Sequence, residues 1–208
     1  MQEKLLDRRV LIALVIAGLS LLLSLPLLSQ WLSYGDLHGL QPNTPAANFT
    51  LSDIDNNIIS LPILLNKPLL MSFGYRHCGA TCPTQLATLQ QLSLQLGEQA
   101  NYLWVSLDPE QDRLLPPLRT TQSFPALIEL FPPSATAAAA LLSQYRGSAQ
   151  RRRNTATVDI AHSSYIYLID TKGIIRTIYQ GSHITAAAIA SDIGQLQILP
   201  DRRSTHEQ

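Results

Sequence analysis

Residues 68–75 (PLLMSFGY) form an apolar run that ends three residues before Cys78, and from Pro83 onward the apolar positions change to helical spacing. A run without polar alternation suits a central strand covered on both faces. Leu86, Leu89, Leu92 and Leu96 then share one face of a helix, with Gln and Thr on much of the other, and Thr81 is a suitable cap. Between strand and helix stand Cys78 and Cys82, the only 2 cysteines of the chain. They must therefore be judged together, and the strand-to-helix junction that holds them constrains the architecture more than any other feature.

The remaining pattern is consistent with it. Residues 101–107 (NYLWVSL) have the composition of a second central strand, ended by Asp108-Pro109. Residues 49–52 and 58–61 are short β-like runs separated by Asp55-Asn56-Asn57, and residues 163–169 and 174–179 are joined by Asp170-Thr171-Lys172-Gly173, which is strong hairpin chemistry. Ser134 is placed to cap a helix extending to Arg146, and an Ala-rich helix over 185–199 closes the pattern. Arg151-Arg152-Arg153 is expected in an exposed, solvated loop. The order hairpin, strand, helix, strand, helix, hairpin, helix predicts an α/β fold with a mixed sheet flanked by helices. A cysteine pair where a strand feeds a helix is the thioredoxin-like layout.

The amino-terminal part is of a different kind. Residues 10–28 carry no charge, and 19 residues at about 1.5 Å each cover roughly 28 Å, close to the hydrocarbon thickness of a bilayer. Lys4, Arg8 and Arg9 precede the run and no Lys or Arg follows it until Lys67, which predicts a cytoplasmic amino end and an exported remainder. Trp31 and Tyr34 fall where an interfacial aromatic belt belongs. The expected organisation is thus a cytoplasmic stretch 1–9, a transmembrane anchor 10–30, a tether 31–44, one domain 45–199 and a tail 200–208. A bacterial cytoplasmic membrane with the domain on the periplasmic side is the simplest setting. With 15 basic and 15 acidic residues the net charge is zero, so nothing draws the chain globally to nucleic acid.

Thiols at the amino end of a helix become reactive, because unpaired N–H groups and the helix dipole stabilise the thiolate. A spacing of four places both sulfurs on one side if the intervening loop is turn-like or helical. A structural disulfide would close a small loop and remove little unfolded-state entropy. A redox couple and a metal site both remain open. Three intervening residues are one more than in the Cys-x-x-Cys redox motif; two thiolates suit Cu(I), and an added neutral imidazole makes the set acceptable to Cu(II). Of the histidines, His38 lies in the tether and His206 in the tail, both expected to be solvated, His77 adjoins Cys78, and His183 belongs to a loop. His162 sits just before the run at 163, where a loop at the sheet edge can fold back over the helix start.

Together, Phe73-Gly74-Tyr75, Cys78, Cys82-Pro83, Ser106-Leu107-Asp108-Pro109 with Asp112, and His162-Ser163 running into Tyr167-Leu168-Ile169-Asp170 and Gly173 resemble the Sco/SenC family of membrane-anchored, thioredoxin-like copper proteins. The resemblance spans about residues 45–199. It implies a copper site of Cys78, Cys82 and His162 with Asp108 nearby, used in assembling the copper centre of cytochrome c oxidase. Family members are described both as metallochaperones and as thiol reductants. The implied partners are the copper-bearing oxidase subunit or another cuproprotein, and other periplasmic copper or thiol-redox proteins. A metal-free periplasmic thiol-disulfide oxidoreductase is the alternative, served by Cys78 and Cys82 alone. Two departures are visible: Cys78-Gly79-Ala80-Thr81-Cys82-Pro83 stands where the family commonly has Cys-Pro-Asp-x-Cys-Pro, and Ala161 stands where an acid usually precedes the histidine, with Asp159 two residues further back.

Overall fold

A computed structural model of the chain describes residues 14–16, 18, 20, 37–77, 81–121, 123–153, 158–180 and 184–198. Residues 14–16, 18 and 20, in the unit formed by residues 1–36, are helical. Most of the expected span 10–30 lies outside the described residues, among which no helix is long and apolar enough to cross a membrane. The second unit, residues 37–208, carries the sheet.

The sheet's strands are β1 (Thr44–Pro45), β4 (Leu69–Gly74), β5 (Asn101–Ser106), β6 (Leu127–Leu130), β9 (Tyr165–Ile169) and β10 (Ile174–Gln180), in the order β1-β10-β9-β4-β5-β6. β4, β5 and β6 run parallel, whereas β9, β10 and β1 are joined antiparallel, so the sheet is mixed as expected. The apolar run resolves into β4, every residue of which is buried. β9 and β10 meet at the predicted hairpin: the Asp170 carboxylate accepts from the amides of Lys172 and Ile174, both at 2.9 Å, and Gly173 takes φ +76°. Left-handed backbone of this kind favours glycine. β2 (Thr50–Ser52) and β3 (Ile58–Ser60) form the first hairpin, whose turn is held by Asp53 accepting from Asp55 and Asn57 amides at 2.8 Å.

The cysteine-bearing helix spans Thr81–Leu96, so Thr81 is its first residue rather than the cap before it. It buries Leu89 and Leu92 against the sheet and packs beside the Ala186–Ile198 helix. Ser134 caps the Ala135–Gln144 helix as expected, accepting from the Ala137 amide at 3.1 Å. On the sheet face below, Phe73, Tyr145 and Tyr167 meet with ring centroids 5.5–6.1 Å apart.

Three further features differ from the sequence reading. β6 was not anticipated, although ALIELF between Pro125 and Pro132 is a bounded apolar run of strand length. The Arg triplet is not a loop: Arg151, Arg152 and Arg153 belong to β7 (Ala149–Arg153), which pairs with β8 (Val158–His162) in a separate two-stranded ribbon. Arginines alternating across a ribbon leave no apolar stripe to detect. His38 is exposed as expected but is tied to the domain, because its amide and Nδ1 both bond the buried Asp192 carboxylate, at 2.9 and 2.6 Å, and Tyr179 donates to the same carboxylate at 2.7 Å.

Candidate metal centre

Topology brings His162, Asp108 and the segment leading to Cys78 to one end of the sheet. β4 pairs in parallel with β5 through Gly74↔Ser106, so the chain leaves both strands at the same level, toward Cys78 on one side and Asp108 on the other. β9 runs antiparallel to β4, with Ser72 opposite Ile166, so the residues just before β9 lie beside those just after β4. His162 belongs to that preceding segment. Its ring contacts the ring of Tyr75 edge to face, centroids 5.9 Å apart, and Tyr75 is three residues from Cys78.

His162 is half-buried and held in a defined orientation. Its Nδ1 lies 3.1 Å from the Ser163 carbonyl, which can only accept, so Nδ1 carries the proton and Nε2 the lone pair. Burial lowers its pKa from the ordinary 6.5, partly offset by that hydrogen bond and by Asp159, which favours the neutral imidazole a metal requires. The acid displaced from the position before the histidine acts through an intermediary: Tyr75 Oη donates to Asp159 at 2.9 Å and accepts from the Ile160 amide at 3.2 Å, while the Tyr75 ring abuts His162.

Around this corner lies a buried polar network. Arg76 places Nη2 2.6 Å and Nε 3.1 Å from Glu129 Oε1, with both side chains more than nine-tenths buried, and Glu129 Oε2 accepts from the Leu118 amide. The Arg76 amide donates to Asp112 at 3.0 Å, fixing the backbone two residues before Cys78. Ser106 Oγ donates to the other Asp112 oxygen at 2.6 Å and accepts from the Asp108 amide at 3.1 Å. Burial pushes the Asp112 carboxyl up to about 6, against the hydrogen bonds from Ser106 and Arg76 that pull it down. Asp108 is itself buried and forms an ion pair with Arg151 of β7. Sequence reasoning had no means of pairing Arg151 with an acid 43 positions away.

Cys78 lies outside the described residues; Cys82 is the second residue of the Thr81–Leu96 helix, where the dipole argument needs it. Of the histidines, His77 is exposed in the turn before Cys78, His38 is bound to Asp192, and His183 and His206 lie outside the described residues. Among the described residues no group of three or more His, Cys, Asp and Glu is assembled for a metal; of the implied residues, the described side chains are those of His162 and of Asp108, which pairs with Arg151. A neutral imidazole with its second nitrogen locked to a carbonyl fits a soft or borderline metal.

A family profile described as SCO1/SenC matches residues 39–197. The bovine protein named "Protein SCO2 homolog, mitochondrial" is 31% identical over 119 residues, 53% of this chain and 44% of the relative, so the chain spans about half the length of that curated relative. The copper-bound ScoI structure from Arabidopsis thaliana aligns with TM-score 0.62 at 20% identity, covering 74% of this chain and 99% of that one. A SCO1/SenC family lipoprotein from Bacillus anthracis aligns with TM-score 0.64 at 19% identity, covering 78% and 99%. These likenesses establish the thioredoxin-like fold.

Proposed function

This chain belongs to the SCO1/SenC family, and from that premise we propose that it is a copper-binding assembly factor for the copper centre of cytochrome c oxidase, working as a metallochaperone, a thiol reductant or both. Cys78, Cys82 and His162 are the ligands in this reading, and Asp108 acts on the site from outside the ligand set. The charge-free run at 10–28 anchors the chain in a bacterial cytoplasmic membrane, with the domain facing the periplasm and a copper-bearing oxidase subunit or another cuproprotein as partner.

The observation that carries the reading is the placement of His162: edge-on to Tyr75 at the end of the strand that leads to Cys78, with Nδ1 committed to the Ser163 carbonyl. Bound copper would supply a soft Lewis acid that is handed to a partner's ligands. The rest is done by the chain. The helix amino end lowers the cost of the Cys82 thiolate, burial keeps the imidazole neutral, and the Arg76 amide bond to Asp112 steadies the approach to Cys78. In the reductant role, or the metal-free alternative, the two thiols become one disulfide while a partner's disulfide takes up two electrons and two protons.

The test is titration of the reduced full chain with Cu(I) against a chromophoric chelator, and with Cu(II). One-to-one binding is expected, abolished in Cys78→Ser/Cys82→Ser and weakened in His162→Ala by at least the roughly 10- to 100-fold that loss of an outer partner costs. Binding that survives loss of both cysteines overturns the copper reading. Disulfide-reducing turnover insensitive to copper chelators, without stoichiometric copper binding, favours the oxidoreductase.

A further inference from the structure

The ribbon that ends in His162 is a separate two-stranded sheet, and such a hairpin is marginal on its own in water. Besides the packing of Ile160 in the core, among the described residues polar side-chain contacts tie each of its strands to the domain. β8 is held from the end of β4, where Tyr75 Oη bonds both the Asp159 carboxylate and the Ile160 amide. β7 is held from the end of β5, where the buried Asp108 forms its ion pair with Arg151. Arg151 stands opposite Ile160 in the ribbon register, with Ala149↔His162 two residues along. Because side chains of paired residues share a face, Arg151 and the buried Ile160 point toward the domain together.

We propose that Arg151 is a positioning residue for the metal centre: its ion pair with Asp108 fixes β7, and through the β7–β8 ladder it fixes the place of His162 relative to the cysteine pair. Asp108 then serves the site chiefly as the anchor of this clasp. Loss of the clasp leaves the ribbon to the Tyr75 bonds on β8 and the packing of Ile160 in the core, so that β7 loosens and the imidazole shifts out of register with the cysteine pair. The inference rests on the reading of His162 as a ligand, and its test separates the two.

Wild type, Arg151→Gln, His162→Ala and the double variant are compared as reduced full-length chains in Cu(I) competition titrations and in the sulfur-to-copper charge-transfer absorption of the Cu(II) form. Arg119→Gln, which opens the exposed Arg119–Asp55 pair elsewhere, is the control. Arg151→Gln is expected to weaken binding by about 10- to 100-fold, the usual cost of losing an outer partner, and to shift the charge-transfer band. In the His162→Ala background the same substitution adds no further loss. Without metal, hydrogen exchange of the 149–153 and 158–162 amides is expected to rise in Arg151→Gln and not in the control. If Arg151→Gln leaves Asp108 too poorly compensated to fold, Asp108→Asn opens the clasp without stranding a buried charge and carries the same expectations. Wild-type binding by a folded clasp variant, with His162→Ala weakened, overturns the clasp and leaves the ligand reading standing. Equal losses from Arg151→Gln with and without His162 also overturn it. Wild-type binding by His162→Ala overturns the ligand reading, and the clasp with it.

Discussion

The two ends of β4 and β5 are built from opposite chemistry. At their beginnings Leu69, Leu70, Tyr102 and Leu103 are all at most 1% exposed, and the chief polar contact is Asn101 donating to the Leu64 carbonyl and to the Asn66 side chain, each at 2.8 Å. At their ends, within a few residues, Arg76, Ser106, Asp108, Asp112 and Glu129 are buried in one hydrogen-bonded network. The first end stabilises by removing apolar surface from water. The second spends stability, since each ion brought out of water costs several kcal/mol before its partner repays it. What is gained is a fixed backbone at the approach to Cys78 and a fixed ribbon at His162.

The largest effect that would break this contrast is expected at Arg76. Replacing it by Met keeps most of the volume but leaves the Glu129 carboxylate buried with only the Leu118 amide, a loss of about 3–5 kcal/mol for a severed buried pair. Urea unfolding followed by circular dichroism measures it. The double variant Arg76→Met/Glu129→Leu is expected to recover most of the loss, because two apolar groups of matched size replace a buried pair at little net cost. A loss under about 1 kcal/mol in Arg76→Met would put this pair in the class of surface ion pairs and remove the energetic distinction between the two ends.

The second way is through pH. Asp112 titrates at about 6 in the folded chain against an ordinary 3.8. Below about pH 4 the carboxyl is protonated whether the chain is folded or not, and no penalty applies. Between about 4 and 6 the unfolded chain ionises while the folded chain keeps its proton, so stability falls as pH rises. Above that window both forms are ionised and the full penalty of about 2–3 kcal/mol stands. In Asp112→Asn this part of the slope disappears, so the stability difference between variant and wild type should move in the variant's favour by that amount between pH 4 and 7. A difference independent of pH would mean that Ser106 and the Arg76 amide compensate the ionised carboxylate in full.

The same contrast explains what the sequence disclosed. PLLMSFGY, NYLWVSL and the Asp-Thr-Lys-Gly turn announce β4, β5 and the β9–β10 hairpin because burial and turn geometry restrict residue type locally. The polar end is specified by pairs far apart in the chain: Arg76 with Glu129, Arg151 with Asp108, Tyr75 with Asp159, and, elsewhere in the domain, His38 with Asp192. None leaves a period or a spacing to detect. The candidate ligands were legible for a different reason, as residue types whose chemistry is scarce in a chain with 2 cysteines and 5 histidines.

The smallest predicted effect sharpens the boundary between the two regimes. Gln85 lies one helical turn after Cys82, is 7% exposed, and among the described residues neither atom of its amide has a hydrogen-bond partner. It borders a cavity of about 20 Å³ shared with Thr88, Ser164, Ile166, Tyr179 and Ile184. A space of that size admits one water, which cannot satisfy both the carbonyl and the two amide protons. Gln85→Leu removes the unmet polar atoms at similar volume and is expected to stabilise the fold by about 1 kcal/mol, leaving Cu(I) affinity unchanged because, among the described residues, this amide hydrogen-bonds to none of Tyr75, His162 and Arg76. Destabilisation would instead mean that a water bound by Gln85 ties the helix to β9. The polar network would then extend beneath the cysteine helix, and the division between an apolar body and a polar end would have to be redrawn along the helix rather than across the strands.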